Sequence, residues 1–256
     1  MASQLQREID TLKKSILTLS ALVEDNLRRA FQAVERRDTA LATEAIERDF
    51  PIDLMEVDVE EDCLKALALY QPVAGDLRFI ITTIKINTTL ERVGDLAVNI
   101  AERARLLAAL PEVVVGFDVA GMADRAQRMV ANSLDALVEP DAVLARSVLM
   151  ADDEVDELDR ELTDRLNTIV REHPEWLDPV VQWLQISRFI ERVADHATSI
   201  AEDVIYMVEG EIPRHSVKRA VAEAMGLNGN PAAQAAAGSS GPAGAPAGPD
   251  TRRGSV

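Results

Sequence analysis

The 256-residue sequence is poor in several residue types, and each shortage narrows what the chain can be. Aromatic residues make up only 4 %, and glycine and proline are sparse until the far C-terminus. This disfavours a β-sandwich or barrel and favours long helices built from Ala, Leu, Val and Ile. The single cysteine, Cys63, cannot form a disulfide within one chain, so we expect a reduced, cytoplasmic setting. No charge-free apolar stretch approaches the ~18–20 residues that span a bilayer.

Positive charge is also scarce, because 27 basic residues face 44 acidic ones and the net charge is −17. Such a surface is repelled by nucleic acid phosphates and by anionic lipids, whereas cations and basic protein patches suit it. We therefore expect no nucleic-acid partner, and association with a membrane only indirectly, through other proteins.

Hydrophobic residues still make up 47 % of the chain, and their spacing predicts helices separated by clear breaks. Apolar positions recur at helical spacing over residues 5–35, and Asp38 then resembles a cap before a short helix. Asp49, ahead of Phe50-Pro51, predicts the start of the next helix. The stretch Gln71–Asp76 is a break with Asp76 as a cap, and the third long helix runs from about Leu77 to Leu107.

The second half of the chain repeats this layout. Its predicted elements are a long helix at Val119–Val138, a break at Pro140-Asp141, a short helix over 142–149, a helix from the cap Asp152 to about Arg171, and a last helix capped at Asp178-Pro179 that ends near Val208. The two halves align with an offset of about 103 residues that falls to about 100 at the third helix, so Glu91-Arg92-Val93 meets Glu191-Arg192-Val193.

This alignment predicts an all-α fold, an elongated tandem duplication of a three-helix bundle. We assign residues 1–112 to the first repeat and 113–217 to the second. Residues 218–256 are rich in Gly, Ala and Pro, and we expect a weakly helical start followed by a disordered tail.

The third helix of each repeat carries two carboxylates one turn apart, Glu91/Asp95 and Glu191/Asp195. Like charges at this spacing normally cost about 0.2–0.5 kcal/mol, so their repetition calls for a reason. The preceding helices add acidic positions at steps of three and four: Asp49, Asp53, Glu56 and Glu60 in the first repeat, and Asp152, Asp156 and Asp159 in the second. Because neighbouring helices of a short-looped bundle pack together, each repeat can bring several carboxylates to one seam. An all-oxygen site suits magnesium, manganese, calcium, iron or zinc.

Ordinary surface charge is the alternative explanation of these acids. Arg92 precedes Asp95 by three residues, Arg192 precedes Asp195, and Arg188 precedes Glu191, so three of these four acids have an arginine within reach on their own helix. Asp49 and Asp152 would also serve as helix caps. The sequence contains no Glu-x-x-His for a ferritin-like di-iron centre, and no P-loop, GxGxxG, GxSxG or HExxH motif.

One long segment, QPVAGDLRFIITTIKINTTLERVGDLAVNIAE, resembles the signature of the PhoU family of phosphate-transport accessory proteins. The matching elements are Gln71-Pro72, Asp76-Leu77-Arg78, Lys85-Ile86, Leu90 through Asp95, and Asn99-Ile100-Ala101. The second copy, ISRFIERVADHATSIAEDVIYMVEG, is similar to the C-terminal half of that family, and the resemblance covers about residues 5–217. Ala194 replaces the motif glycine in this copy, which also lacks the Gln-Pro turn.

The resemblance implies two similar three-helix bundles, often as a homodimer, with multinuclear metal sites at the ExxxD motifs. By resemblance, the metal ligands are Glu91, Asp95, Glu191 and Asp195, with Asp49, Asp53, Asp152 and Asp156 as neighbouring ligands. The ions would be iron, zinc, manganese or magnesium, and the sequence does not choose among them.

The resemblance also implies a function that is not enzymatic. It points to a negative regulator of phosphate uptake and of the phosphate-starvation response, linking the ATPase subunit of a phosphate ABC transporter to a sensor histidine kinase. Two alternatives stay open at this stage: a purely structural helical adaptor without metal, and a metal-dependent hydrolase.

Overall fold

A computed structural model describes residues 2–211, and every regular element in that range is helical. The helices are α1 Ala2–Arg36, α2 Thr39–Glu47, α3 Asp49–Tyr70, α4 Ala74–Ala109, α5 Val119–Val138, α6 Ala142–Glu172 and α7 Leu177–Glu209, with a single 3₁₀ turn at Pro174–Trp176. The predicted all-α fold is confirmed. None of the helices within the described range is long and apolar enough to cross a membrane. The tail predicted for 218–256 lies outside the described residues.

Two aspartates cap equivalent helices in the two halves, which we call repeat one (α1–α4) and repeat two (α5–α7). The side chain of Asp38 accepts hydrogen bonds from the backbone N–H groups of Ala40 and Leu41 at the start of α2. Asp141 accepts from Val143 and Leu144 at the start of α6. Each cap satisfies donors that have no partner within the helix, which stabilises a helix start by about 1 kcal/mol.

The second half departs from the prediction between residues 149 and 152. No break separates a short helix from a second one, because α6 runs without interruption from Ala142 to Glu172. Repeat one does break here: α2 ends at Glu47, Arg48 lies between the two helices, and Pro51 is the third residue of α3. Repeat two has Glu154 at the position of Pro51, so every backbone N–H can continue the helical ladder.

Two predicted caps, Asp76 and Asp178, were wrong because their helices begin before the acid, whereas the helix start predicted at Asp49 is confirmed. Helix α4 starts at Ala74 and α7 at Leu177, so Asp76 and Asp178 lie in the first turn rather than at the cap. Asp49 is the first residue of α3 and makes no capping hydrogen bond. An acid in the first turn still interacts favourably with the helix dipole.

Helices α4 and α7 form the centre of the molecule. Helix α4 packs against α1, α2 and α3, α7 packs against α5 and α6, and the two contact each other. Their buried side chains match at an offset of 100, as at Leu90 and Ile190 or Ile100 and Ile200, and one continuous apolar cluster extends through both repeats. Burial of these apolar stripes is the main source of helix stability in such a fold.

The two central helices run antiparallel, as their side-chain contacts show. Near the start of α4, the Lys85 Nζ lies 2.9 Å from the Asp203 Oδ1 near the end of α7. Near the end of α4, an Arg103 Nη1 lies 3.4 Å from the Gln182 Oε1 near the start of α7. In each repeat the central helix packs against the helix that carries the other acids, α4 against α3 and α7 against α6.

Candidate metal centre

The predicted ligands fall into two groups, one on each pair of packed helices. The first acid cluster consists of Asp49, Asp53 and Glu56 on α3 with Glu91 and Asp95 on α4. The second acid cluster consists of Asp152, Asp156 and Asp159 on α6 with Glu191 and Asp195 on α7. Positions correspond at offsets of 103 between α3 and α6 and of 100 between α4 and α7, so the eight predicted ligands fall into two matched sets of four.

Burial and mutual repulsion shift the pKa values in the first acid cluster. The pKa of Asp49 is raised to about 6, first by burial and then by the charges of Asp53, Asp95 and Glu91. The pKa of Glu91 is raised by burial and then by Asp95, against a lowering effect from Arg92. Carboxylates on α3 and α4 are thus close enough to influence one another across the helix seam.

The second acid cluster behaves in the same way. Burial raises the pKa of Asp152 to about 6, and the charges of Asp156 and Asp195 add to it. Burial raises the pKa of Glu191 to about 7, with Asp195 as the largest charge contribution. The pKa of Asp195 is also raised by burial and by Asp156, while Arg192 lowers it. Repulsion between α6 and α7 therefore repeats the repulsion between α3 and α4.

In the described part of the chain, arginines do not form ion pairs with the cluster carboxylates of the two central helices, α4 and α7. Among the described residues, no lysine or arginine nitrogen lies within 4 Å of a carboxylate oxygen of Glu91, Asp95, Glu191 or Asp195. The three arginine pairs that would have explained these acids as surface charge are therefore not formed. Asp156 differs, because its Oδ2 lies 3.6 Å from an Nη of the exposed Arg160.

One carboxylate oxygen in each cluster is buried without a hydrogen-bond partner. These are the Oδ1 atoms of Asp49 and Asp152, which occupy equivalent positions in the two repeats. A Cβ added at Gly94 would lie 3.3 Å from that Asp49 oxygen, so α4 approaches it closely. Leaving a buried acceptor unpaired costs about 1–3 kcal/mol, which a bound cation would offset. This orphaned oxygen and the all-oxygen donor set fit a hard or borderline metal ion.

The carboxylates are near one another but are not gathered in a finished coordination sphere. Across residues 2–211, no three side chains of His, Cys, Asp or Glu stand together in a geometry that would hold an ion as they are placed. An ion at either seam would have to draw the carboxylates of both helices toward it. Each seam offers carboxylate oxygens that carry uncompensated negative charge. A bound ion would be needed to bring those oxygens around one point.

Two buried polar residues orient further acids of the clusters, and the sequence prediction missed this role. Asn87 on α4 donates from Nδ2 to the backbone oxygen of Glu56 at 2.8 Å and to its Oε1 at 3.1 Å. Ser187 on α7, at the equivalent position, donates from Oγ to Asp159 Oδ1. Both donors are fully buried. Asn87 corresponds to Ser187 at the offset of 100, and Glu56 corresponds to Asp159 at the offset of 103. A polar residue on the central helix and an acid on its neighbour therefore recur in both repeats, and this recurrence could have predicted the contact.

Comparison with known proteins agrees with this duplicated architecture. The family described as PhoU domain matches the chain twice, over residues 16–104 and 119–204. A phosphate-specific transport system accessory protein PhoU homolog from Aquifex aeolicus is 40 % identical over 212 residues, covering 83 % of this chain and 96 % of the relative. A homolog of the same name from Pseudomonas putida is 36 % identical over 228 residues, covering 88 % and 89 %.

Two solved structures share the fold. The crystal structure of PhoU from Pseudomonas aeruginosa has a TM-score of 0.78 at 36 % identity, covering 80 % of this chain and 99 % of that one. The phosphate transport system regulatory protein PhoU from Streptococcus pneumoniae has a TM-score of 0.76 at 27 % identity, covering 81 % and 98 %. Fold and clusters define a duplicated all-α protein with an acidic helix seam in each half. The chain belongs to the PhoU family.

Proposed function

We propose that this protein is an accessory protein of a phosphate-specific transport system that restrains phosphate uptake and represses the phosphate-starvation response. The observation that carries the proposal is membership of the PhoU family over both repeats, since relatives matched over most of their length are named as accessory proteins of that system. In this role the protein acts in the cytoplasm, without catalysis, as an adaptor between the transporter ATPase subunit and a sensor histidine kinase. We also propose that it works as a homodimer.

We further propose that each acid cluster binds metal. The proposed ligands are Asp49, Asp53, Glu91 and Asp95 at the first seam and Asp152, Asp156, Glu191 and Asp195 at the second. Iron, zinc, manganese or magnesium would each accept these oxygens. A bound cation would supply positive charge between two mutually repelling helices, and so would hold α3 on α4 and α6 on α7.

A metal-free structural adaptor is the second candidate, and one observation favours it. Asp156 already has a cationic partner in Arg160, and the remaining carboxylates can stay apart and partly protonated, as the raised pKa values of Asp152 and Glu191 allow. In that case charge at the seams would be relieved by protons and solvent alone. Metal content separates the two candidates.

Deletion of the gene tests the regulatory role. In cells grown with ample phosphate, we expect genes of the phosphate-starvation response to become expressed when the protein is absent, and to be repressed again by the wild-type gene. Starvation genes that stay silent without the protein would refute the proposal.

The same cells test whether the seams matter. A Glu91→Gln/Glu191→Gln variant removes one third-helix carboxylate from each cluster while preserving side-chain shape, and we expect it to complement poorly. A matched Glu112→Gln/Glu172→Gln variant changes exposed acids outside the proposed ligand set and should complement fully. A pull-down with the ATPase subunit and with the kinase sensor domain, using wild type and both variants, tests the proposed partners directly.

A further inference from the structure

Helix α3 has a line of large apolar side chains that face solvent. We call Phe50, Leu54, Val57 and Leu64 the α3 stripe; they are 68 %, 54 %, 51 % and 53 % exposed. Steps of four, three and seven residues place them on one side of the helix, along about four turns. Single exposed apolar residues are ordinary, but four large ones aligned on one helix face are typical of an interaction surface.

The stripe is separate from the residues that attach α3 to the rest of the protein. Ile52, Val59, Cys63 and Ala66 are buried on the opposite side of the helix, against the core. Helix α3 therefore has two apolar faces, and only one is used within the described residues. A helix of this kind is normally covered on both faces.

Repeat two shows that the fold does not require these residues. At an offset of 103, the stripe positions correspond to Asp153, Glu157, Arg160 and Asn167 on α6, and all four are exposed. The same face of the equivalent helix is thus polar, as expected of a surface in contact with water. The fold of the repeat therefore does not require apolar residues at these positions of α3.

Acidic residues border the stripe on both sides. Glu60 lies about 80° around the helix in one direction, and Asp58 lies about 80° in the other. Both are exposed, and Glu61 occupies the remaining turn of the stripe itself. The only basic residue of α3, Lys65, is already paired with Glu61 at 3.4 Å and Asp62 at 3.2 Å.

We propose that the α3 stripe is the docking surface for an amphipathic helix of a partner protein whose apolar face is bordered by lysine and arginine. Apolar anchors would fill the stripe, and basic flanks would meet the acids on either side. A second copy of this chain fits poorly, because it would set the same acids against each other. The proposal rests on the accessory role only in requiring a partner, and it does not depend on bound metal.

Peptide binding to the full chain tests the surface. The probe is a fluorescein-labelled synthetic helix of about 20 residues, with leucines at steps of three and four and lysines on both flanks, measured by fluorescence anisotropy. A scrambled peptide of identical composition keeps the charge but has no apolar face. We expect the ordered peptide to bind at least about tenfold more tightly than the scrambled one, and binding to weaken as salt is added.

The discriminating variant transfers the residues of α6 onto α3: Phe50→Asp, Leu54→Glu, Val57→Arg and Leu64→Asn. Its new side chains are those that repeat two carries on the same helix face, so we expect normal helical circular dichroism and at least a tenfold loss of peptide affinity. A Val143→Asn/Met150→Asp control alters two exposed apolar residues of α6 with the same change in net charge, and should bind like wild type. The smaller Leu54→Asn/Leu64→Asn variant gives a second reading should the fourfold variant fold poorly.

Three results would overturn the proposal. One is equal peptide affinity for wild type and the folded stripe variants, and another is equal affinity for ordered and scrambled peptides. The third is a wild-type dimer, seen by sedimentation velocity, that the stripe substitutions dissociate, which would assign the surface to a second copy. None of these outcomes alters the phosphate-response test of the proposed function, so the two can fail separately.

Discussion

Helices α3 and α6 occupy equivalent places in the two repeats and differ most where they meet solvent. Both present acids to the neighbouring central helix, at Asp49 and Asp53 in one case and Asp152 and Asp156 in the other. Their outer faces diverge, because α3 carries Leu54 where α6 carries Glu157. The shared face follows from packing and from the seam, whereas the divergent face is free to take on a separate task.

A smaller difference lies beside the acid clusters, where two apolar substitutions between the repeats offset each other in volume. Repeat one has Gly94 against Ile52, and the corresponding positions of repeat two carry the buried residues Ala194 and Val155. The methyl group gained at 194 is matched by the carbon lost at 155. Total side-chain volume at this contact is therefore the same in both repeats, which is the kind of change that cores tolerate best.

The central helices also differ at their two ends. Lys85 and Asp203 form an ion pair across the repeats, while the residues equivalent to them are Gln185 and Arg103. At that second end the Arg103 Nη1 lies 3.4 Å from the Oε1 of Gln182. One end of the junction is thus held by opposite charges and the other by a weaker polar contact.

The largest effect on stability is expected from breaking the ion-paired end. Lys85→Met leaves the buried Asp203 without its lysine and removes the ammonium that lies 5.5 Å from the Tyr206 ring centroid. We expect a loss of about 1–3 kcal/mol in the free energy of unfolding, measured by urea denaturation. Lys65→Met, which removes only exposed pairs, should change stability by less than about 0.5 kcal/mol. Equal losses in both variants would show that the junction is not specially held.

The second expected effect is a dependence of the stability of the metal-free protein on pH. Asp49 and Asp152, with pKa values near 6, and Glu191, near 7, keep protons in the folded state that the unfolded chain releases above about pH 4. Because the folded state then binds more protons, stability falls as pH rises from about 4 to about 7. After allowance for partial exposure we expect a fall of about 1–2 kcal/mol, measured by urea denaturation with a chelator present.

Variants in the two clusters sharpen that pH dependence. Repeat two holds two of the strongly raised pKa values and repeat one holds one, so Asp152→Asn/Glu191→Gln should flatten the pH profile more than Asp49→Asn. An unchanged slope in the double variant would show that the cluster carboxylates do not cause it.

The smallest effect tests the compensating exchange. In Gly94→Ala the new methyl group would lie 3.3 Å from Asp49 Oδ1 and 3.4 Å from an Ile52 methyl carbon, which opposes the gain of about 1 kcal/mol in helix propensity. We expect a net change within about 1 kcal/mol. When Ile52→Val is added, it removes the Cδ1 that would lie 3.9 Å from the new methyl group and lets the remaining side chain shift, so we expect a favourable coupling of about 0.5 kcal/mol. Thermal denaturation of the two single variants and the double variant completes the cycle. Strict additivity would mean that the two positions do not compensate.

Sequence periodicity and duplication were enough to predict the fold class and most helix bounds, including Val119–Val138. The main wrong prediction was a local one, a helix break before Asp152. Repeat one has a break at this place beside Pro51, but repeat two has no proline at the equivalent position and α6 continues. The acids of the third helices were found because their spacing lies along one helix. Contacts such as Asn87 to Glu56 join two helices, and they depend on a packing register that periodicity does not specify.

The metal content of the purified full-length protein tests the central claim most directly. After incubation with iron, zinc, manganese and magnesium in turn, and removal of free ions, wild type is compared by inductively coupled plasma mass spectrometry with Asp49→Asn/Asp95→Asn and Asp152→Asn/Asp195→Asn. Each double variant should lose about half of the bound metal and their combination nearly all of it, while the exposed control Asp58→Asn/Asp164→Asn loses none. Wild-type protein that retains no more metal than the combined variant would contradict the claim that the two helix seams are cation sites.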